Sequence, residues 1–160
     1  AQGKGIAHYQ SLLTQAFGEI QRILKPDGRV TVAFHSTQAG VWKALVNAYT
    51  GAGFSLEHSS ILDKKQGSFK QVTTTNFAKG DPLILLRPSL SRANAPTMRP
   101  REIIRQLVSQ AEDRRGNEPD EWTPQRLYSR FVEHYLKRHT SPPIDAEQFY
   151  IELALTNSDV

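Results

Sequence analysis

The chain has no cysteine, and that excludes disulfides, thiolate metal sites and a cysteine nucleophile. It has no apolar run near the roughly 18 residues that cross a bilayer. Its first residues lack the charged and apolar regions of a secretory signal. Together these absences lead us to expect a cytoplasmic protein with no membrane partner. Short chemical signatures are missing too: there is no G-x-G-x-x-G, no Walker sequence and no G-x-S-x-G. "GKG" (3–5) is too short to be a phosphate loop. The single methionine is Met98, and the chain opens on "AQGKGIAHYQ", already close to a helix. That opening reads as a piece cut from a longer polypeptide.

What is present suits a globular protein of one domain, or a core with a small addition: 160 residues, 38% of them hydrophobic. The net charge of +4 is unevenly spread. Residues 1–88 hold ten Lys/Arg against five Asp/Glu, whereas 89–160 hold ten against eleven. A basic first half permits an anionic partner, although ordinary surface charge accounts for an excess of this size.

Apolar residues at Leu13, Ala16, Phe17, Ile20, Ile23 and Leu24 have the three-four spacing of one buried helix face, predicting a helix over 8–24. Pro26 and Gly28 stop it. Val30, Val32 and Phe34 then alternate with the small residues Thr31 and Ala33, predicting a strand covered on both faces, as in a parallel sheet. A second helix is expected over 38–52. Strands follow at 54–61, 69–77 and 83–86. Helix–strand–helix–strand with a closing hairpin is the second half of a doubly wound α/β sheet. "PSLSRANAPTMRP" (88–100) breaks the composition and reads as a linker. Three helices are expected beyond it, over 101–114, from Thr123-Pro124, and from Asp145. Trp122 with Leu127 and Ile144 with Phe149 are spaced as hydrophobic staples, and Asp145 with Gln148 as a capping box. We therefore divide the chain into an α/β part (1–88), a linker (89–100) and a small helical appendage (101–160).

Few residues stand where chemistry is done. His134 and His139 do not share a helix face, have no carboxylate to complete a metal site, and read as solvent-facing, so no metal is expected. Glu118, Asp120 and Glu121 read as a solvated loop. In "AFHS" (33–36) a histidine and a serine end a strand, and open α/β sheets bind ligands beyond the carboxyl ends of their strands. A serine that merely caps the next helix is the plainer alternative. Lys64, Lys65, Lys70 and Arg87, with Phe69 among them, could track a nucleic-acid backbone or simply solvate a hairpin. The aromatic residues Trp122, Tyr128, Phe131, Tyr135, Phe149 and Tyr150 read as the core of a helical bundle. Arg126, Arg130, Lys137 and Arg138 could alternatively make a DNA-reading helix.

The run "FGEIQRILKPDGRVTVAFHSTQAGVWKALVNAYTGAGF" (17–54) resembles the late catalytic half of the S-adenosylmethionine-dependent DNA methyltransferases. It is closest to the large bacterial amino-methylating type. Gly28, Phe34, His35, Trp42, Leu45, Ala48, Gly53 and Phe54 carry the likeness. "DPLILLRP" (81–88) resembles the last strands of that fold, so that residues 10–88 are covered. "LKPDGR" is shared by class I methyltransferases generally, and only the F-H pair and the Trp pattern point to DNA.

The resemblance implies a Rossmann-like methyltransferase sheet closed by a hairpin, with base-amino methylation of DNA, adenine before cytosine. It implies Phe34, His35 and Ser36 as substrate-binding residues, and DNA and the remainder of the same polypeptide as partners. The acidic-Pro-Pro-aromatic motif and the glycine-rich loop of the family are both absent here. The resemblance therefore assigns no catalytic residue to this stretch. S-adenosylmethionine is expected in the full-length enzyme and not on this piece alone. Another class I methyltransferase, acting on RNA, protein or a metabolite, is the first alternative. A non-catalytic nucleic-acid- or protein-binding module on the same scaffold is the second.

Overall fold

The computed structural model describes residues 5–63, 80–89, 98–114 and 122–158, and five helices and three strands lie within them. Helix α1 (Ile6–Ile23) buries Phe17 and half-buries Leu13 and Ile20, as the spacing predicts, but Ala16 and Ile23, expected on the same face, are exposed because they lie at its margins. It packs along α2 (Ala39–Gly51). After α1 the chain turns tightly, with Gly28 N–H donating to Lys25 O at 2.8 Å. A Cβ at Gly28 would stand 2.7 Å from the Leu24 side chain and 2.9 Å from that carbonyl, so the turn needs glycine. Gly53 ends α2 with φ at 83°, in the left-handed region that favours glycine.

Strand β1 (Val30–Ala33) leads through α2 to β2 (Phe54–Asp63), and β3 (Gly80–Pro88) returns between them. β3 is antiparallel to both neighbours, with Val32 opposite Ile84 and Ser59 also opposite Ile84 on the other side. β1 and β2 therefore run in the same direction. A register shift between Leu56 and His58 bulges β2 at Glu57. The expected strand over 69–77 lies outside the described residues.

One expectation is corrected. β1 is not covered on both faces, and it has no parallel neighbour beside it: among the described residues it is an edge strand, antiparallel to β3. Val30 and Val32 are half-buried while Thr31 and Ala33 are exposed. Small residues at alternate positions do not need cover, and the two-residue side-chain period puts both on the open face.

Three further helices follow: α3 (Pro100–Arg114), α4 (Pro124–Leu136) and α5 (Ala146–Ser158). Thr123 caps α4 as its sequence predicts, its hydroxyl accepting from Arg126 N–H at 3.4 Å. α4 packs on β2 and β3 and touches α3 and α5. Ile84 and Leu86 of the central strand form one buried cluster with Trp42, Leu45 and Tyr49 of α2, Ile103 and Ile104 of α3, Phe131 and Leu136 of α4, and Phe149 of α5. The helical segment thus shares its core with the sheet. Each fully buried side chain of this size contributes about 1.5–3 kcal/mol.

Candidate functional site

β1 delivers the chain to the rim of the sheet, and pairing persists one residue further, with Phe34 N–H donating to Pro82 O at 3.1 Å. The half-buried Phe34 ring meets Trp42 edge-on, centroids 5.0 Å apart. Continuing the register (Ala33 opposite Leu83) places His35 opposite Asp81. Their Nδ1 and Oδ1 atoms are 3.6 Å apart, longer than a hydrogen bond. The His35 side chain keeps 21% exposure and that of Asp81 13%. Asp81 had no signal in the sequence as a site residue. Only the β1–β3 register brings it to His35.

Ser36 is held from several directions. Its hydroxyl accepts from Gln38 N–H at 3.1 Å, and its carbonyl accepts from Trp42 Nε1–H at 2.9 Å and from Tyr128 O–H at 3.5 Å. Burial first, and then the nearby Tyr150 and Asp145, push the Tyr128 phenol far above its ordinary value, so it stays a donor; the Trp42 hydrogen bond opposes this. Thr37 O accepts from Ala146 N–H at 2.9 Å, and the Asp145 carboxylate accepts from Ala39 N–H, the first residue of α2. The starts of α2 and α5 therefore meet, with a carboxylate at the meeting point of their positive ends. Asp145 precedes α5 as expected, yet its side chain serves a different helix.

The structure groups Phe34, His35 and Ser36 at this rim with Asp81, Trp42, Tyr128 and Asp145. It does not bring Arg87 there. Arg87 is exposed near the other end of β3, opposite Ser55. Six residues from Asp81 at about 3.3 Å each put it roughly 20 Å away. Lys64, Lys65 and Lys70 lie outside the described residues. Arg126, one of the cations of a possible DNA-reading helix, is buried. His134, expected to face solvent, is half-buried instead with its Nε2 enclosed, because α3 packs beside that turn of α4.

The rim does not fit S-adenosylmethionine. The turn from β1 into α2 is His-Ser-Thr-Gln rather than glycine-rich, and Gln38 N–H and Ala39 N–H at the helix start are taken by Ser36 and Asp145. No group of three His, Asp or Glu able to hold a metal occurs among the described residues, and no helix there is long and apolar enough to cross a membrane. Comparison of the chain with protein-family models, with curated proteins and with solved structures returned no match.

Proposed function

We propose that this chain is the C-terminal part of a DNA methyltransferase, with residues 1–88 forming the second half of a Rossmann-like catalytic sheet. The methyl group would pass from S-adenosylmethionine to a base amino group, adenine before cytosine. The observation that carries the reading is topological. β1, α2 and β2 make a crossover between two strands of the same direction, and β3 folds back between them. The end of a doubly wound sheet closed by a returning strand is compatible with this order, and the F-H pair then falls at the carboxyl end of β1, where such sheets bind ligands.

In this reading a base leaves its stack to reach the rim. Phe34 offers ring surface steadied by Trp42, and His35 lies beside the Asp81 carboxylate with its Nε2 enclosed, so a base that reaches it has to displace what covers that nitrogen. Ser36 acts through the shape of its turn, since its hydroxyl is engaged by Gln38. That local engagement also favours the second reading, a binding module that keeps the sheet as scaffold. The methyl donor, and the acceptors that hold the amino group, belong to parts of the enzyme outside this chain.

The test uses the complete polypeptide in which this chain occurs, labelled S-adenosylmethionine, and duplex DNA, RNA and protein acceptors. The proposal expects label in DNA, on an exocyclic amino nitrogen. Label confined to RNA or protein, or no transfer, would reject it.

A further inference from the structure

Helix α2 has no cap of its own. Its N-cap residue, Gln38, makes no side-chain hydrogen bond to the helix start, and it is not one of the Ser, Thr, Asp or Asn residues favoured there. The acceptor comes from the helical segment. The Asp145 carboxylate takes the Ala39 N–H from 106 residues away in sequence. The exchange is mutual: Ala146 N–H, the first of α5, donates to Thr37 O at 2.9 Å. Each helix start is thus served by the residues that precede the other. A third tie comes from α4, where Tyr128 O–H donates to Ser36 O at 3.5 Å, beside the firmer 2.9 Å bond from Trp42 Nε1–H.

All three ties fall on the turn that directly follows His35, at Ser36, Thr37 and Ala39. On the other side of His35 the chain is fixed by the sheet, through Phe34 N–H and Pro82 O. His35 therefore stands between a strand held by β3 and a turn held by α4 and α5. These bonds are not what docks α5, because Ala146, Phe149 and Leu153 already bury that helix in the common core. Apolar burial is non-directional. Hydrogen bonds have defined lengths and angles, so they fix where the turn lies.

We propose that Asp145, together with Tyr128, is a positioning residue for the rim: the helical segment sets the place of His35 through the turn 36–39. For the reaction this serves, the inference rests on the methyltransferase reading. It gives residues 101–158 a part in the site itself. Neither side chain is placed on the substrate; both act through the backbone of the turn. Loosening that backbone would let the rim drift from productive geometry, and misplacement of even an ångström is costly to a reaction that depends on alignment.

The test has two readouts. In the chain itself, NMR follows the backbone amides of His35 and Ala39. Asp145→Ala should shift both. Asp145→Asn keeps an oxygen that accepts from Ala39 N–H and should return His35 close to its original position. The control is Thr156→Ala, which removes a buried hydroxyl bonded to Glu152 O, roughly 16 Å further along α5; it should leave His35 still. In the complete polypeptide, Asp145→Ala should lower kcat/KM for DNA at least about tenfold per folded molecule, with KM for S-adenosylmethionine unchanged. Asp145→Asn should recover most of that loss, and Thr156→Ala should show none. Should Asp145→Ala fail to fold, Tyr128→Phe keeps the buried ring, removes the third tie and carries the same expectations. A His35 amide that stays still in the folded variant overturns the proposal. A shifted His35 with unchanged kcat/KM per folded molecule overturns the positioning role and leaves the methyltransferase reading standing. A wild-type polypeptide that transfers no methyl group rejects that reading, and the positioning role with it.

Discussion

At the scale of single residues, Tyr49 is the clearest liability in the core. Its ring is fully buried, and its hydroxyl has no hydrogen-bond partner among the described residues. Removing an unsatisfied buried polar group relieves a desolvation cost of about 1–3 kcal/mol. Tyr49→Phe should therefore raise the urea midpoint at pH 7, and a lowered midpoint would show that the hydroxyl has a role. The same burial makes stability depend on alkali. It pushes Tyr135 and Tyr150 up to about 12, and Tyr49 and Tyr128 further still. The unfolded chain ionises these phenols near 10 while the native state resists. Stability is thus intact below pH 10 and is lost as pH rises through 10 towards 12. Urea midpoints across that window should fall, and less steeply in Tyr49→Phe; a flat profile would contradict the burial of these rings.

At the scale of elements, the caps separate what local sequence can say from what it cannot. Thr123-Pro124 starts α4 where its residue types predict, because an N-cap acts over three residues. Asp145 has equally good local credentials and bonds instead to Ala39, 106 residues away in sequence. No periodicity or spacing encodes that, since it depends on how α5 docks. The two caps should consequently differ in effect. Thr123→Ala removes the hydroxyl that accepts from Arg126 N–H and should cost about 0.5–1 kcal/mol. Asp145→Ala frees the start of α2 and the tie between two helices, and should cost about 1–2 kcal/mol. Thermal melts of the two variants side by side check the order, and equal small losses would mean that the Asp145–Ala39 bond contributes little. The first helix was legible because Leu13, Phe17 and Ile20 carry its period, and β3 because Leu83–Leu86 is a short apolar run bounded by turn residues. The open face of β1 was not, because Thr31 and Ala33 are small enough for either side. Nor was Asp81, which only strand register brings to His35.

At the scale of the molecule, one core joins the sheet to the helices on either side of residues 89–100, so heat should unfold the chain in a single transition; two separated melts would divide it. The rim is where that shared core would bear on the proposed function. Tyr128 and Asp145 of the helical segment grip the turn that presents His35, and a base-binding edge has to be held within a fraction of an ångström to assist chemistry. The central claim is that His35 serves a substrate at this rim and not the core. His35→Ala in the complete polypeptide tests it most directly, with melting and methyl transfer to DNA measured on the same preparation. The account predicts nearly unchanged melting, because little apolar area is lost, and a fall in turnover of more than about tenfold, the 1.4 kcal/mol or more of a lost positioning hydrogen bond. A protein destabilised by about 1–3 kcal/mol that turns over normally per folded molecule would contradict it and leave His35 a structural residue beside Asp81.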